Sequence, residues 1–88
     1  MTAVLKIKLM PSSPDVDFEK IKKKCEQIIK KNKGKNLAFE EEPIAFGLKS
    51  LIAKFFLEED IEVEPIEREL EKIPEVSSVE LIDIRKTL

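Results

Sequence analysis

The sequence predicts an α+β chain of four strands and two helices in the order β-α-β-β-α-β. Three observations predict it. Apolar residues recur at every second position over residues 2–10 and again over 48–57. They recur at helical spacing over residues 18–29 and 66–73. Proline and glycine punctuate the joints, at Pro11, Pro14, Gly34, Pro43, Pro65 and Pro74. A half-buried strand imposes a period of two on its sequence, and an amphipathic helix one of about 3.6.

In the first strand, Ala3, Leu5, Ile7 and Leu9 fall on one face, with Thr2, Lys6 and Lys8 on the other. Pro11-Ser12-Ser13-Pro14 then breaks the strand. Asp15 and Asp17 are candidate N-caps for a helix whose apolar stripe is Phe18, Ile21, Cys25, Ile28 and Ile29. Lys22, Lys23, Lys24, Lys30 and Lys31 cover most of its remaining surface. The late lysines suit the negative end of the helix dipole, and Gly34 is placed to stop the helix as its C′ residue. Residues 36–42 form a short second strand, and Pro43 ends its pairing or marks a sheet edge. In the third strand, Leu51, Ala53, Phe55 and Leu57 share one face, and Ser50, Ile52, Lys54 and Phe56 the other. The acidic Glu58-Glu59-Asp60 closes it.

Pro65 suits the first position of a second helix. Ile66, Leu70 and Ile73 are its buried stripe, Glu67, Glu69 and Glu71 its solvated side, and Pro74 its end. Residues 77–86 are the last strand, where adjacent Leu81 and Ile82 break the alternation. A bulge or a strand covered on both faces accounts for that break. Two right-handed crossovers joined in this order give a ferredoxin-like sandwich. Its sheet has four antiparallel strands, both helices cover one face, and the other face stays open.

The 88 residues suggest a single domain over 1–88, with no repeat, linker or low-complexity segment to argue for a second. Charged residues make up 39% of the chain, above the usual quarter or so. The Lys- and Glu-rich, Gly-poor balance leans toward a heat-adapted source. The net charge of −2 hides an asymmetry: residues 20–35 carry eight Lys against one Glu, and residues 40–83 carry fourteen acids against four bases. Opposed charges on a small domain can steer a charged partner, although solvated helix faces produce the same pattern.

Composition also removes function classes. The single Cys25 and the absence of His leave no internal disulfide, no zinc or haem ligand set, and no nucleophile–base pair. No metal, cofactor or catalytic residue is therefore assigned. The two glycines are isolated and form no phosphate-cradling loop. The N-terminus alternates like a strand and does not read as a signal peptide, and no apolar run approaches a membrane span. The expected location is cytoplasmic. RNA recognition on the open face needs aromatics on the central strands, and the first strand has none. Most of the lysines fall on the first helix, so no direct nucleic-acid contact is expected.

The stretches PIAFGLKSL (43–51), FFLEED (55–60) and VSSVELIDIRK (76–86) resemble the guanine nucleotide exchange domain of the translation elongation factor 1-beta family. The likeness spans nearly the whole chain, and it is to the archaeal form that consists of that domain alone. It implies an exchange factor that acts by protein contact on elongation factor 1-alpha, the GTPase that delivers aminoacyl-tRNA to the ribosome. It also implies a partner-binding set. Phe46 matches the family's inserted loop aromatic, and Lys86 its near-terminal lysine at the partner's magnesium site. Pro43 would stiffen the loop, Gly47 would let the backbone approach closely, and Lys49 would add a charge contact. Arg85, beside Lys86, competes for the cation's role, and Thr87 and Leu88 follow where the family's lysine stands next to last. Ring and cation are expected on a common edge, on a chain that is monomeric when free. The alternatives are a Phe46 packed beneath its loop, a solvated Lys86, a small RNA-binding or ribosome-associated module using the lysine-rich helix, or a plain ligand-binding or dimerising ferredoxin-like domain.

Overall fold

The computed structural model describes residues 1–86. β1 spans Thr2–Pro11, α1 Phe18–Lys31, β2 Lys35–Pro43, β3 Lys49–Glu58, α2 Glu64–Glu71 and β4 Val76–Lys86. The sheet order is β2-β3-β1-β4, with every neighbouring pair antiparallel. This is the ferredoxin-like arrangement expected from the sequence.

The core is the face of the sheet that the alternation marks. Ala3, Leu5, Ile7 and Leu9 of β1 and Leu51, Ala53, Phe55 and Leu57 of β3 are buried against Ile21, Cys25 and Ile29 of α1 and Ile66 and Leu70 of α2. Each fully buried Leu, Ile or Phe is worth about 1.5–3 kcal/mol. A one-residue slip of β1 would turn its four core residues outward, so burial fixes the register.

Local chemistry sets the helix ends. Asp17, not Asp15, caps α1, its Oδ1 accepting from the Glu19 N–H at 3.0 Å. At the other end, Asn32 is the C-cap, and the C′ residue is Lys33 (φ 68°) rather than Gly34. The Lys33 N–H donates to Lys30 O and the Gly34 N–H to Ile29 O, the two bonds of a Schellman turn. Gly34 is needed for space: a Cβ there would collide with Cγ2 of Ile29. Pro65 sits one residue later in α2 than expected, behind Glu64, and the helix ends at Glu71, before Pro74 is reached.

Glu69 of α2 binds Lys31 and accepts from Asn32 Nδ2 at 3.2 Å, and Lys24 Nζ lies 2.8 Å from Glu75 Oε1. These contacts tie α1 to α2 and to the turn before β4. The irregularity at Leu81–Ile82 is a bulge. Lys6 pairs with Asp83 and Ile7 with Leu81, leaving Ile82 unpaired.

Candidate functional site

The β2–β3 connection is the most unusual backbone in the molecule. Pro43 pairs with Lys49 as the last rung, and Ile44 N–H then donates to Leu48 O at 2.8 Å. Ala45–Gly47 form one short turn closed by Leu48 N–H on Ala45 O. Phe46 (φ 63°, ψ 32°) and Gly47 (φ 74°) are both left-handed. Glycine tolerates that conformation freely, whereas for phenylalanine it costs about 1–2 kcal/mol. Nothing lies within 4 Å of a Cβ built on Gly47, so in the free chain its contribution is conformational and not close packing.

Phe46 is 98% exposed. Ile44 and Leu48 on either side are half-buried and anchor the loop's base. Leu48 and Gly47 line an open cleft of about 360 Å³ with Pro14, Val16 and Phe18 from the connection into α1. The ring therefore stands on a supported base and touches no core. Lys49 lies beside it, its Nζ 3.7 Å from Glu41 Oε1. Glu40, Glu41 and Glu42, near the end of β2, lead into this tip.

The remaining two candidates are elsewhere. Lys86 pairs with Ala3, which pairs with Leu57, whereas Phe46 follows the Pro43–Lys49 rung. Lys49 and Leu57 are eight strand steps apart, about 26 Å at the usual rise. The expected common edge is therefore corrected: ring and cation stand at opposite ends of the sheet. The topology makes this unavoidable. The β2–β3 hairpin closes at the end where β1 finishes, and β4, antiparallel to β1, finishes where β1 starts.

Alternation separates Arg85 from Lys86. Arg85 pairs with Val4 on the open face, and its Nε donates to Asp83 Oδ2 at 3.1 Å. Lys86 faces the helix side, exposed, with no ion pair among the described residues. It rims an apolar cleft of about 220 Å³ lined by Leu57, Ile61, Val63 and Ile84. Thr87 and Leu88 lie outside the described residues. Ile84 is 54% exposed although it pairs with buried Leu5. The cause is length: α2 has eight residues, about 12 Å, against eleven in β4, about 36 Å, so the strand outruns its cover. Nothing in a single sequence gives the relative reach of two elements.

Cys25 is no candidate nucleophile. Burial, with Glu26 adding to it, pushes its thiol up to about 12.

The model for the EF-1 guanine nucleotide exchange domain matches residues 4–87. The chain is 39% identical to elongation factor 1-beta of Methanocaldococcus jannaschii over 84 residues, covering 94% of each chain. It is 38% identical to the protein of that name from Methanosarcina barkeri over 80 residues, 90% of each chain. To the Nanoarchaeum equitans protein it is 38% identical over 77 residues, covering 86% of this chain and 94% of the relative. With this match over nearly its whole length, the chain belongs to the EF-1 guanine nucleotide exchange domain family.

Proposed function

We propose that this chain, as a single exchange domain over residues 1–88, speeds GDP release and GTP reloading on elongation factor 1-alpha by driving Phe46 into the GTPase. The observation that carries this reading is a phenylalanine 98% exposed in a left-handed conformation. Nothing in the fold gains from that ring, and its backbone is strained. Strain of this kind concentrates where a loop meets its partner.

The physics needs no covalent step. GDP is held by the partner's phosphate loop and by Mg²⁺. An inserted ring that displaces a switch segment weakens that hold. Burying one phenylalanine supplies about 1.5–3 kcal/mol. Spent wholly on loosening GDP, that is about a 10- to 150-fold faster release. Pro43 and Gly47 set the loop's shape, and Lys49 offers a charge at its root.

Lys86 acts at a second, separate point, where its ammonium competes with the metal for acidic ligands. Its free ammonium favours it over Arg85, whose guanidinium is engaged by Asp83. Ring and lysine thus touch the partner about 26 Å apart, along the strand direction. The factor accelerates both directions, so the GTP pool sets the net flow. It works as a monomer, in the cytoplasm. No helix among the described residues is long and apolar enough to cross a membrane.

The test is release of fluorescent GDP from purified elongation factor 1-alpha. Wild type should accelerate it, and Phe46→Ala should lose at least tenfold of the acceleration with an unchanged melting temperature. Full stimulation by Phe46→Ala would overturn the reading.

A further inference from the structure

We propose that the open face of the sheet, at its Lys86 end, is a binding site for a short single-stranded RNA segment. One base stacks on Phe56, and the flanking phosphates sit on Lys6 and Lys54.

Strand register places the open-face residues in rows. The row at the strand end holds Glu58 and Thr2; the second runs Lys35, Phe56, Val4, Arg85, and the third Ala38, Lys54, Lys6, Asp83. The fourth runs Glu40, Ile52, Lys8, Glu80, and beyond it Glu42 pairs with Ser50 and Met10 with Ser78. The face is therefore polarised along its strands. Four cations and two acids occupy the first three rows, one of the acids, Glu58, being engaged by the N-terminal ammonium at 3.9 Å, and three acids and one lysine occupy the others. That lysine, Lys8, is already bound to Glu42 at 3.5 Å.

Within the basic half, Lys6 and Lys54 are direct cross-strand partners. Like charges placed opposite each other destabilise a sheet. Neither ammonium is in an ion pair among the described residues, and Asp83, the one acid of their row, is held by Arg85. The fold gains nothing from this pair, whereas an anion lying between the two would neutralise it. Beside them is a concavity of about 390 Å³ lined by Val4, Lys6, Lys54, Phe56, Asp83, Arg85 and Lys86. Phe56 is half-buried on a central strand, and a partly exposed aromatic there is the usual platform for an unpaired base. An acidic peptide would satisfy the lysines but leaves the ring without a role. Aromatic platform and cations together fit a nucleotide strand. The lysine-rich α1 lies on the other side of the sheet and takes no part. A first strand without aromatics argues against nucleic-acid contact on this face, and the site departs from that expectation because Phe56 stands on the other central strand, β3.

The experiment titrates the full chain with fluorescein-labelled hexauridylate and hexaadenylate at several salt concentrations. Wild type should bind, with log affinity falling against log salt at a slope of about −1.4 for two phosphates. Phe56→Leu should weaken binding about tenfold with the slope unchanged. Lys6→Gln with Lys54→Gln should flatten the slope toward zero while raising the melting temperature, so that lost affinity is not lost folding. Three outcomes overturn the proposal: no binding at low salt, an affinity indifferent to Phe56→Leu, or displacement by polyglutamate as effective as by RNA. The last would mark an acidic protein surface as the occupant. None of these substitutions touches the residues assigned to exchange, so the same variants should still release GDP at the wild-type rate. The two readings can therefore fail separately.

Discussion

The two ends of the sheet are built from the same strands and solve opposite problems. At the hairpin end, acids crowd β2, the chain reverses through two left-handed residues, and a phenylalanine is held fully in solvent. At the far end, cations gather on the open face, and Lys86 and Ile84 extend past the helices beside an apolar cleft. Between them, Leu5, Ile7, Leu51, Ala53 and Phe55 are buried with almost no exposure. Packing dictates the middle of each strand and leaves both termini free. Those ends can carry strain, like-charge pairs and exposed apolar groups, because the centre supplies the stability.

The largest effect expected from this contrast is on exchange. Phe46→Ala and Lys86→Ala should each slow stimulated GDP release, the first by at least tenfold. Because about 26 Å separates them, the double variant should show their sum within about 0.5 kcal/mol. A strongly non-additive result would return ring and cation to one pocket and break the two-point picture.

Next in size is a stability effect in the packed body. Gly34→Ala should destabilise the fold by about 1–3 kcal/mol in chemical denaturation, since its methyl group meets Ile29. At the displayed end the sign reverses. Phe46→Asn accepts the left-handed backbone more readily and should raise stability by about 0.5–1 kcal/mol while cutting stimulated exchange as far as Phe46→Ala does. Stability gained and activity lost at one position would identify the loop as strained for function. Unchanged stability would remove the strain argument.

The smallest effect is electrostatic. The hydrogen bond from Lys24 holds the Glu75 carboxyl below the usual carboxylate range, and the one from Lys31 does the same for Glu69. A carboxyl with a depressed folded-state pKa stabilises above its unfolded pKa, and that contribution is lost as pH falls through the folded value. Thermal melts should therefore show a modest loss on the acid side of the ordinary carboxylate range. Glu75→Gln with Glu69→Gln should reduce the pH dependence there. Both pairs are solvent-screened, so the change is small.

Much of the fold was legible because burial writes a period into the sequence. The strands β1 and β3, the α1 stripe, the α2 stripe through Leu70 and the bulge at Ile82 all stand where alternation or its failure placed them. The helix ends were less legible. A glycine after a helix reads as its left-handed stop, but at Gly34 the glycine serves close packing and Lys33 takes the left-handed turn. The site was legible only in part. Phe46 stands out as an aromatic beside a glycine in a turn, whereas the basic rows around Phe56 are assembled from three strands far apart in the chain.

The sequence alone determined which residues share a face, because a strand alternates and a helix repeats whatever lies around it. It also determined that histidine is absent and that Cys25 stands alone. Only the tertiary structure decided how far apart those residues stand. Strand order and direction set Phe46 and Lys86 at opposite ends and brought Lys6, Lys54 and Arg85 together. Distance between elements is a property of pairing between remote segments, and no local period encodes it.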